Sequence, residues 1–546
     1  MNKLIIPIIA VVIIATGIGV FVFQKSAFPE PQKQTLPQAQ NKLCGDGICQ
    51  DIEKERGVCE DCKISQVQKT EEGNVVVEEP KQSEEKQLQA QQPTQQQTTT
   101  QTKSVSQSSK GDNSLDADGF LWGTETYPNL ISQTASTIKE TLKIKYVKIR
   151  LQSPMFTKDG KTFTAKVCMP SQSMCLKQYD LDAAVKLFKE NSWSMMPMLS
   201  HDFTSDKSID AIDIDNFVNF ADWLVSRYKN DANIKYVELI NSPASLWDGT
   251  DEQLVELSNK TYDRIKNKYP DIMIGTPGFE YWNDIEGDKG VRQLEYFLDK
   301  NNGAKFDFMA FHGYPTAVIG KSSAYPPTMK AKYNKLAGIY GLLEIRNRIN
   351  ENGWGNRLII DTEHTGLFPT KPSFTENEYK IDAAFMVQEL LVKKTLRLND
   401  KSVLSGVSTF KIASRGTVGE FIWASLKADG SITPAIKAVS FLMGKFNEYN
   451  YSSHISGEWD AESTPWIEKF TSGDNKELYI FFKLFKYASD KSISLDNETV
   501  NYVLSLNKTP KSITITDVDG NVSNITASKT VTLQAVNAPK YLEVEY

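Results

Sequence analysis

Short apolar runs alternate with longer amphipathic stretches along this chain, and this alternation restricts the fold more than any other feature. Eight of the runs have the length and composition of buried strands, and they cover residues 120–123, 146–150, 195–199, 236–240, 272–275, 308–311, 358–361 and 406–410. The stretches between them have helical periodicity, most clearly at 180–191, 213–228, 251–268, 333–350 and 376–396, and a last helix begins near Pro434. Eight strand–helix repeats predict a (β/α)8 TIM barrel, an α/β fold, over residues 116–447. An open doubly wound sheet is the alternative, but no Gly-rich phosphate-binding loop follows any of the runs.

The pattern changes after residue 447 to strands separated by turns. Strand-like runs cover residues 477–482, 512–517, 530–533 and 541–544, and Asp519-Gly520 is a hairpin signal. We therefore expect residues 448–546 to form a small all-β sandwich that packs on the barrel.

The first residues predict a membrane anchor. Residues 4–23 are apolar, and at about 1.5 Å per residue a helix of this length spans about 30 Å of hydrocarbon. The run ends without the small-residue pattern of a signal-peptidase site. We therefore expect residues 1–25 to stay as a single-pass signal-anchor in the cell membrane, with the bulk of the protein extracellular. A cleaved signal peptide and a secreted protein are the alternative.

The six cysteines support an oxidising compartment, because they occur in close groups that suit three disulfide bonds. They are Cys44, Cys49, Cys59 and Cys62 in one group and Cys168 and Cys175 in another. The acidic residues of the first group could bind Ca²⁺, and its cysteines could hold zinc, but a plain disulfide module over residues 43–63 is the simpler interpretation. Linkers flank this module at 26–42 and 64–115, and the second is too rich in Gln and Thr to fold.

Composition adds little to the choice of partner. The net charge of −6 gives no indication of a nucleic-acid partner, and the 4 histidines argue against a multi-histidine metal centre. No metal and no cofactor are predicted.

The carboxyl ends of the strands line the active face of a TIM barrel, so the residues that follow each apolar run are the candidate site. They are Glu125, Arg150, His201, Asp202, Asn241, Ser242, Glu280, His312, Tyr314, Glu363 and His364. This set is polar, ionisable and aromatic, as expected for a sugar-binding site. The alternative is that these side chains merely cap the strand ends.

Several motifs carry a family resemblance. They are Tyr146-Val-Lys-Ile-Arg150, Glu238-Leu-Ile-Asn-Ser-Pro243, Phe306-Asp-Phe-Met-Ala-Phe-His-Gly-Tyr-Pro315, Thr362-Glu-His and Asp429-Gly-Ser-Ile-Thr-Pro434. With these motifs in this order, residues 119–546 resemble the retaining clan A glycoside hydrolases, nearest to the β-xylosidase and α-iduronidase type with its trailing β-sandwich. The resemblance implies a carbohydrate ligand and a (β/α)8 barrel.

The resemblance also implies roles for individual residues. Glu363 corresponds to the nucleophile, which Arg150 and Tyr314 would keep ionised, and Asn241 to the residue that holds the substrate 2-hydroxyl. The general acid/base glutamate of the family is replaced by Ser242, whose hydroxyl cannot serve as an acid near neutral pH. His201, Asp202, Glu280, His312 and His364 would bind substrate or support these groups.

Three interpretations of the missing acid follow. In the first, the protein is a glycoside hydrolase or transglycosidase, and Glu280, Asp202 or a substrate group replaces the acid. In the second, it is a catalytically impaired pseudo-glycosidase that binds glycans. In the third, it is an architectural surface protein, against which the retained Arg150, His312, Tyr314 and Glu363 argue. Glu238 lies two residues before the strand end, so we expect a buried structural carboxyl one layer below the site.

Overall fold

The fold is seen in a computed structural model, which describes residues 116–128, 130–152, 162–171, 174–200, 214–247, 249–280, 289–313, 318–319, 337–364, 366, 368–369, 374–409, 431–457, 463–485, 493–496 and 498–546. Within these ranges no helix is both long enough and apolar enough to cross a membrane. The predicted anchor at 4–23, the two linkers and the first cysteine group lie outside them.

Eight parallel strands close into a barrel in the order β1-β8-β7-β6-β5-β4-β3-β2. Their bounds are β1 Leu121–Thr126, β2 Tyr146–Gln152, β3 Ser194–Ser200, β4 Tyr236–Asn241, β5 Met273–Glu280, β6 Phe308–His312, β7 Leu358–His364 and β8 Gly406–Thr409. Strand β1 pairs with both β2 and β8, which closes the sheet. The barrel prediction is confirmed and the open sheet is excluded.

Helices follow the strands on the outside of the barrel. Their bounds are α1 Ile131–Ser136, which continues as a π-helical segment Thr137–Leu142, α2 Leu181–Asn191, α3 Ile214–Tyr228, α4 Pro243–Leu246, α5 Asp251–Lys268, α6 Lys289–Leu298, α7 Ala337–Glu351, α8 Glu376–Thr395 and α9 Pro434–Glu448. Asp180, Thr250, Thr375 and Thr433 cap four of the helix starts with their side-chain oxygens. The six predicted helices are present, and α1, α4 and α6 were not predicted.

The barrel interior changes from apolar to charged along the strands. Its lower part is a cluster of Leu121, Tyr146, Met196, Phe308, Ala310 and Ile360. Inward-facing positions on a strand are two residues apart, so Tyr146 is followed on the same face by Lys148 and then by Arg150. This gradient places the charged side chains at the carboxyl ends of the strands.

Antiparallel sheets follow the barrel in the chain. A six-stranded sheet has the order β9-β10-β11-β16-β13-β14, and β12 pairs with β15 in a second sheet. Their bounds are β9 Asn450–Ser456, β10 Trp466–Ser472, β11 Lys476–Phe482, β12 Val500–Ser505, β13 Ser512–Asp517, β14 Val522–Ile525, β15 Thr530–Ala535 and β16 Lys540–Glu545. One hydrophobic cluster, with Phe481, Leu504, Leu533 and Val544 among its members, joins the two sheets. They therefore form a two-layer sandwich.

The sandwich packs on the last helices of the barrel. Gln388 on α8 donates to the backbone oxygens of Lys483 and Asn537 at 3.2 and 2.6 Å. Thr395 at the end of α8 donates to Glu468 at 3.0 Å. These contacts are buried, so α8 is shared between the barrel and the sandwich.

A hairpin of Lys166–Ser171 and Met174–Asp180 follows β2 and carries the second cysteine pair. Its backbone register places Cys168 opposite Gln178 and Cys175 opposite Pro170. The two cysteines are therefore not direct cross-strand partners. Their side chains lie outside the described part of the chain, and the disulfide stays a prediction.

Candidate active site

Five of the predicted site residues meet at the carboxyl ends of four barrel strands. Arg150 lies on β2, Asn241 ends β4 and Ser242 follows it, His312 ends β6, and Glu363 lies near the end of β7. Arg150 Nη2 links two of these strands, because it donates to Asn241 Oδ1 at 2.9 Å and to Glu363 Oε1 at 3.0 Å. Their assembly follows from the barrel, which brings the ends of distant strands to one face.

Glu363 is held by two cations. Its Oε1 accepts from Arg150 Nη2 at 3.0 Å and from Lys148 Nζ at 3.1 Å. Lys148 Nζ also donates to the backbone oxygen of Thr362 at 3.0 Å. Two positive charges on one carboxylate oxygen stabilise its negative charge.

Lys148 is the main site residue that the sequence analysis missed. It is 1% exposed and forms ion pairs with Glu125, Glu238 and Glu363 at 3.3, 3.3 and 3.1 Å. Burial lowers the pKa of Lys148, but the carboxylates of Glu238, Glu363 and Glu125 outweigh it and raise the pKa above its usual value. A signal was present in the sequence, since a lysine two residues before Arg150 on one strand must share its inner face.

A local irregularity turns Glu363 toward the inside of the barrel. Ile360 faces the interior, so strict alternation would point residue 362 inward and Glu363 outward. The pairing of β7 with β8 shifts register between Asp361 and His364. The shift puts Glu363 beside Lys148 and Arg150 and leaves Asp361 and His364 on the outer side.

His312 connects three groups of the site. Its Nδ1 lies 3.2 Å from Ser242 Oγ and 3.6 Å from Glu363 Oε2, and its Nε2 lies 3.2 Å from Glu238 Oε1. Gly278 on β5 faces this pair, and a Cβ there would collide with His312 Nε2 and Glu238 Oε1. A glycine is required at this point of β5 because the imidazole and the carboxylate fill the space.

Ser242 has an unusual backbone conformation. Its φ of 42° and ψ of 63° lie in the left-handed region, and Ile240, two residues earlier, has a φ of 38°. Non-glycine residues in this region store backbone strain and concentrate at functional sites. Pro243 then begins the short helix α4, and Asn241 Nδ2 donates to Ser242 Oγ at 3.3 Å.

His364 lies behind the site and not in it. Its Nδ1 is 2.7 Å from Lys393 Nζ on α8, which also contacts Asp361 Oδ2 and the Gly313 backbone oxygen, each at 2.6 Å. Burial, with Lys393 beside it, lowers the pKa of His364 well below its usual value. Burial raises the pKa of Asp361, although Lys393 opposes the shift, and it raises the pKa of the neighbouring Glu389 to about 7. This buried group joins β7 to α8.

The remaining predicted residues are placed only in part. His201, Asp202 and Tyr314 lie outside the described residues, and the backbone of Glu280 ends β5 while its side chain is not described. Glu238 is fully buried, one layer below the strand ends, where it contacts Lys148 and His312. The described part of the chain contains no group of His, Cys, Asp and Glu suited to a metal ion.

Comparison with solved structures gives the fold a family context. A family 39 glycoside hydrolase from the gut symbiont Bacteroides cellulosilyticus WH2 matches with a TM-score of 0.56 and 14% identity over 78% of this chain and 80% of that one. The barrel has a glycoside hydrolase fold. A glucosidase from Croceicoccus marinus matches with a TM-score of 0.53 and 12% identity, covering 80% of this chain and 98% of the other. For a monomeric β-xylosidase from Caulobacter crescentus CB15 the TM-score is 0.51 and the identity 13%, over 79% and 97% of the two chains.

Sequence comparisons find no such relatives. No protein-family model matches the chain, and no curated protein matches it. The likeness to glycoside hydrolases is thus one of fold, and the chemistry has to be argued from the site itself.

Proposed function

We propose that the barrel cleaves O-glycosidic bonds of poly- or oligosaccharides by the retaining mechanism, with Glu363 as the nucleophile. The observation that carries the proposal is the pair of cations, Lys148 and Arg150, on one oxygen of the Glu363 carboxylate. A carboxylate that must attack an anomeric carbon has to be negatively charged and fixed in place, and this pair supplies both conditions.

The chemical steps use the groups on the inner face. A Glu363 oxygen bonds to the anomeric carbon while the bond to the leaving oxygen breaks, and water later displaces the carboxylate to give the free sugar. Asn241 would bond the sugar hydroxyl beside the reacting carbon, and the contacts of Arg150 with both Asn241 and Glu363 support this role. The positions of Asn241 and Glu363 both depend on the guanidinium of Arg150.

Ser242 limits the range of substrates. Retaining enzymes use a second carboxyl about 5–5.5 Å from the nucleophile to protonate the leaving group. Ser242, which follows the end of β4, occupies the position expected for this second carboxyl. Its hydroxyl is not an acid at neutral pH. Glycosides with good leaving groups need no protonation, so this site favours them as substrates or as donors for transglycosylation. Cleavage of poly- or oligosaccharides requires Glu280, Asp202 or a substrate group to replace the missing acid.

The test is covalent labelling of Glu363. The full chain is incubated with a panel of dinitrophenyl glycosides and glycosyl fluorides, and the digest is analysed by mass spectrometry. The expected result is turnover of one sugar, or a glycosyl adduct on the peptide that contains Glu363. Glu363→Gln, which keeps the size of the side chain but removes the charge, should reduce both to background while glycan binding stays measurable.

A glycan-binding pseudoenzyme is the second candidate. The observation that favours it is Ser242, because a site that only binds sugar needs no acid. Retained glycan binding, with no turnover and no label on Glu363 from any activated sugar, would decide for this candidate and against the hydrolase.

We also propose that the barrel lies outside the cell. Residues 4–23 would anchor the chain in the cell membrane, and residues 64–115 would hold the barrel away from the surface, where polysaccharide is met. Membrane fractionation tests this placement, which requires an intact N terminus in the membrane fraction. A soluble form that begins near residue 26 would mean a cleaved signal and a secreted protein.

A further inference from the structure

Ser242, His312 and Glu238 form a hydrogen-bonded line that the glycosidase chemistry does not require. Ser242 Oγ lies 3.2 Å from His312 Nδ1, and His312 Nε2 lies 3.2 Å from Glu238 Oε1. The three residues are 6%, 0% and 0% exposed, so bulk water does not compete for these bonds. A hydroxyl bonded to an imidazole that is bonded to a carboxylate is the arrangement of a nucleophilic triad. Such a triad is recognised by geometry and not by position in the chain.

The carboxylate decides which imidazole nitrogen carries the proton. Glu238 Oε1 can only accept from Nε2, and Lys148 Nζ faces the other oxygen of Glu238 at 3.3 Å. With the proton on Nε2, the lone pair of Nδ1 points toward the Ser242 hydroxyl. His312 is thus oriented to take the proton of Ser242 Oγ.

The backbone conformation at Ser242 resembles that of serine nucleophiles in other hydrolases. The residue follows β4 directly, has a φ of 42°, and precedes helix α4, so it sits on a tight strand-to-helix turn. Serine nucleophiles of other hydrolases stand on strained strand-to-helix turns of this kind. The strain at Ser242 is explained if the turn has to aim the hydroxyl at His312.

We infer that Ser242 is an acyl-accepting nucleophile, with His312 as its general base and Glu238 as the positioning residue, and that the site hydrolyses carboxylic esters. Ser242 Oγ bonds to the acyl carbon, its proton moves to His312 Nδ1, and the alkoxy oxygen leaves with that proton. Water then attacks the acyl carbon, gives its proton to Nδ1, and the Ser242 oxygen leaves and is reprotonated. The products are one alcohol and one carboxylic acid.

The oxyanion of this reaction has a donor in the site. Pro243 has no N–H, so the backbone donor that follows the nucleophile in many triads is absent here. Asn241 Nδ2 donates to Ser242 Oγ at 3.3 Å, so an amide N–H lies next to the atom that would bond to the acyl carbon. A side-chain amide in this position is an established kind of oxyanion donor.

The surroundings indicate the class of ester. Arg150, Asn241 and Glu363 present charged and amide groups next to the triad. An alcohol with several hydroxyl groups can bond to them, so an acylated saccharide fits the site better than the ester of an apolar alcohol. This choice of alcohol rests on the proposed function, whereas the triad does not.

The experiment is activity-based labelling of the purified full chain with a fluorophosphonate probe, which phosphonylates activated serines with loss of fluoride. The expected result is an adduct on the peptide that contains Ser242, together with hydrolysis of p-nitrophenyl acetate. Ser242→Ala should abolish both, and Ser258→Ala, at a buried serine in the middle of α5 that donates to the Leu254 backbone oxygen, should leave both as in the unmodified protein. No adduct, or an adduct only on other peptides, overturns the inference.

The roles of His312 and Glu238 have their own readouts. His312→Asn should slow labelling by about 10²–10⁴-fold, the usual contribution of a general base. Glu238→Gln still accepts from Nε2 but has no charge, so the pH at which labelling reaches half its maximum should fall by about one unit or more. Lys148 faces Glu238, Glu363 faces His312 Nδ1, and Arg150 donates to Glu363, and these three residues stay unchanged in that variant. An unmoved midpoint would assign Glu238 a structural role only, which contradicts its part in the triad.

This test separates the two proposals. A glycosyl label falls on the peptide of Glu363 and a phosphonyl label on the peptide of Ser242, so either can fail while the other succeeds. Thermal unfolding of each variant shows whether a loss of label reflects a loss of fold.

Discussion

Lys148 Nζ lies 3.1 Å from Glu363 Oε1 inside the barrel, where the lysine is 1% exposed. The same ammonium faces Glu125 and Glu238 at 3.3 Å each. One ammonium therefore faces three buried carboxylates, and together with Arg150 it compensates their negative charge.

Replacement of Lys148 by Met should destabilise the fold. Loss of one partner from a buried ion pair typically costs about 3–5 kcal/mol, because the other charges stay buried without compensation. Urea unfolding at neutral pH measures the change in the free energy of unfolding. Lys186→Met is the control, since Lys186 is an exposed lysine paired with Glu190 and such pairs contribute about 0–1 kcal/mol. Equal effects of the two substitutions would contradict the assigned role of Lys148.

Restoring a carboxyl at position 242 should restore general acid catalysis of glycoside cleavage. Ser242→Glu is expected to raise turnover of glycosides with poor leaving groups by up to about 10²–10⁴-fold, with little change for dinitrophenyl glycosides. Steady-state kinetics with both kinds of substrate measure the effect. Ser242→Gln has the same size and no acid, so an equal gain in that variant would show that proton donation is not the cause.

Acid–base titration of Glu389 should make stability depend on pH. Burial raises the pKa of this carboxyl to about 7, above the usual value of 4.5. The folded state therefore binds the proton more tightly, so this contribution is complete below about pH 4.5 and is lost as the pH rises through about 7. Glu389→Gln should remove this decline and gain up to about 3 kcal/mol at pH 8 relative to pH 4. Urea unfolding at the two pH values measures it, and Glu190→Gln, at an exposed glutamate, should show no such gain.

The second cysteine pair should be oxidised. Cys168 and Cys175 lie on the two strands of one hairpin after β2, and an extracellular location would keep them as a disulfide. Mass spectrometry of a digest without reductant should find the two peptides linked. Free thiols at both positions, or a link to a cysteine of the 44–62 group, would contradict the predicted pairing.

The barrel strands were predictable because parallel strands buried on both faces are continuous apolar runs. Helix α1 was not predicted, since its Ile, Ser and Thr residues are weak helix formers and it continues as a π-helix. Strands β9, β10, β12 and β14 were also missed. The exposed faces of β9, β12 and β14 interrupt the apolar pattern, whereas β10 is mostly buried.

The candidate site was less predictable than the fold. Period-two alternation along the strands places Glu238 one layer deeper in the barrel than Arg150. The same alternation predicts that Glu363 points outward, and it points inward only because the register of β7 shifts. The contact of His312 with both Ser242 and Glu238 depends on the closure of the barrel. A sequence shows which strand each residue follows and does not show which side chains then share a proton.

Helix α8 has a consequence for any attempt to divide the protein. Its Lys393 contacts Asp361 and His364 on the outer side of β7, the strand that carries Glu363. Its Gln388 and Thr395 are hydrogen-bonded to the sandwich. Cutting the chain after α9 would expose the buried amide of Gln388 to water and remove the partners of both side chains. The sandwich is thus part of one folded unit with the barrel and not an accessory module that can be exchanged, and an isolated barrel would be a poor reagent for biochemistry.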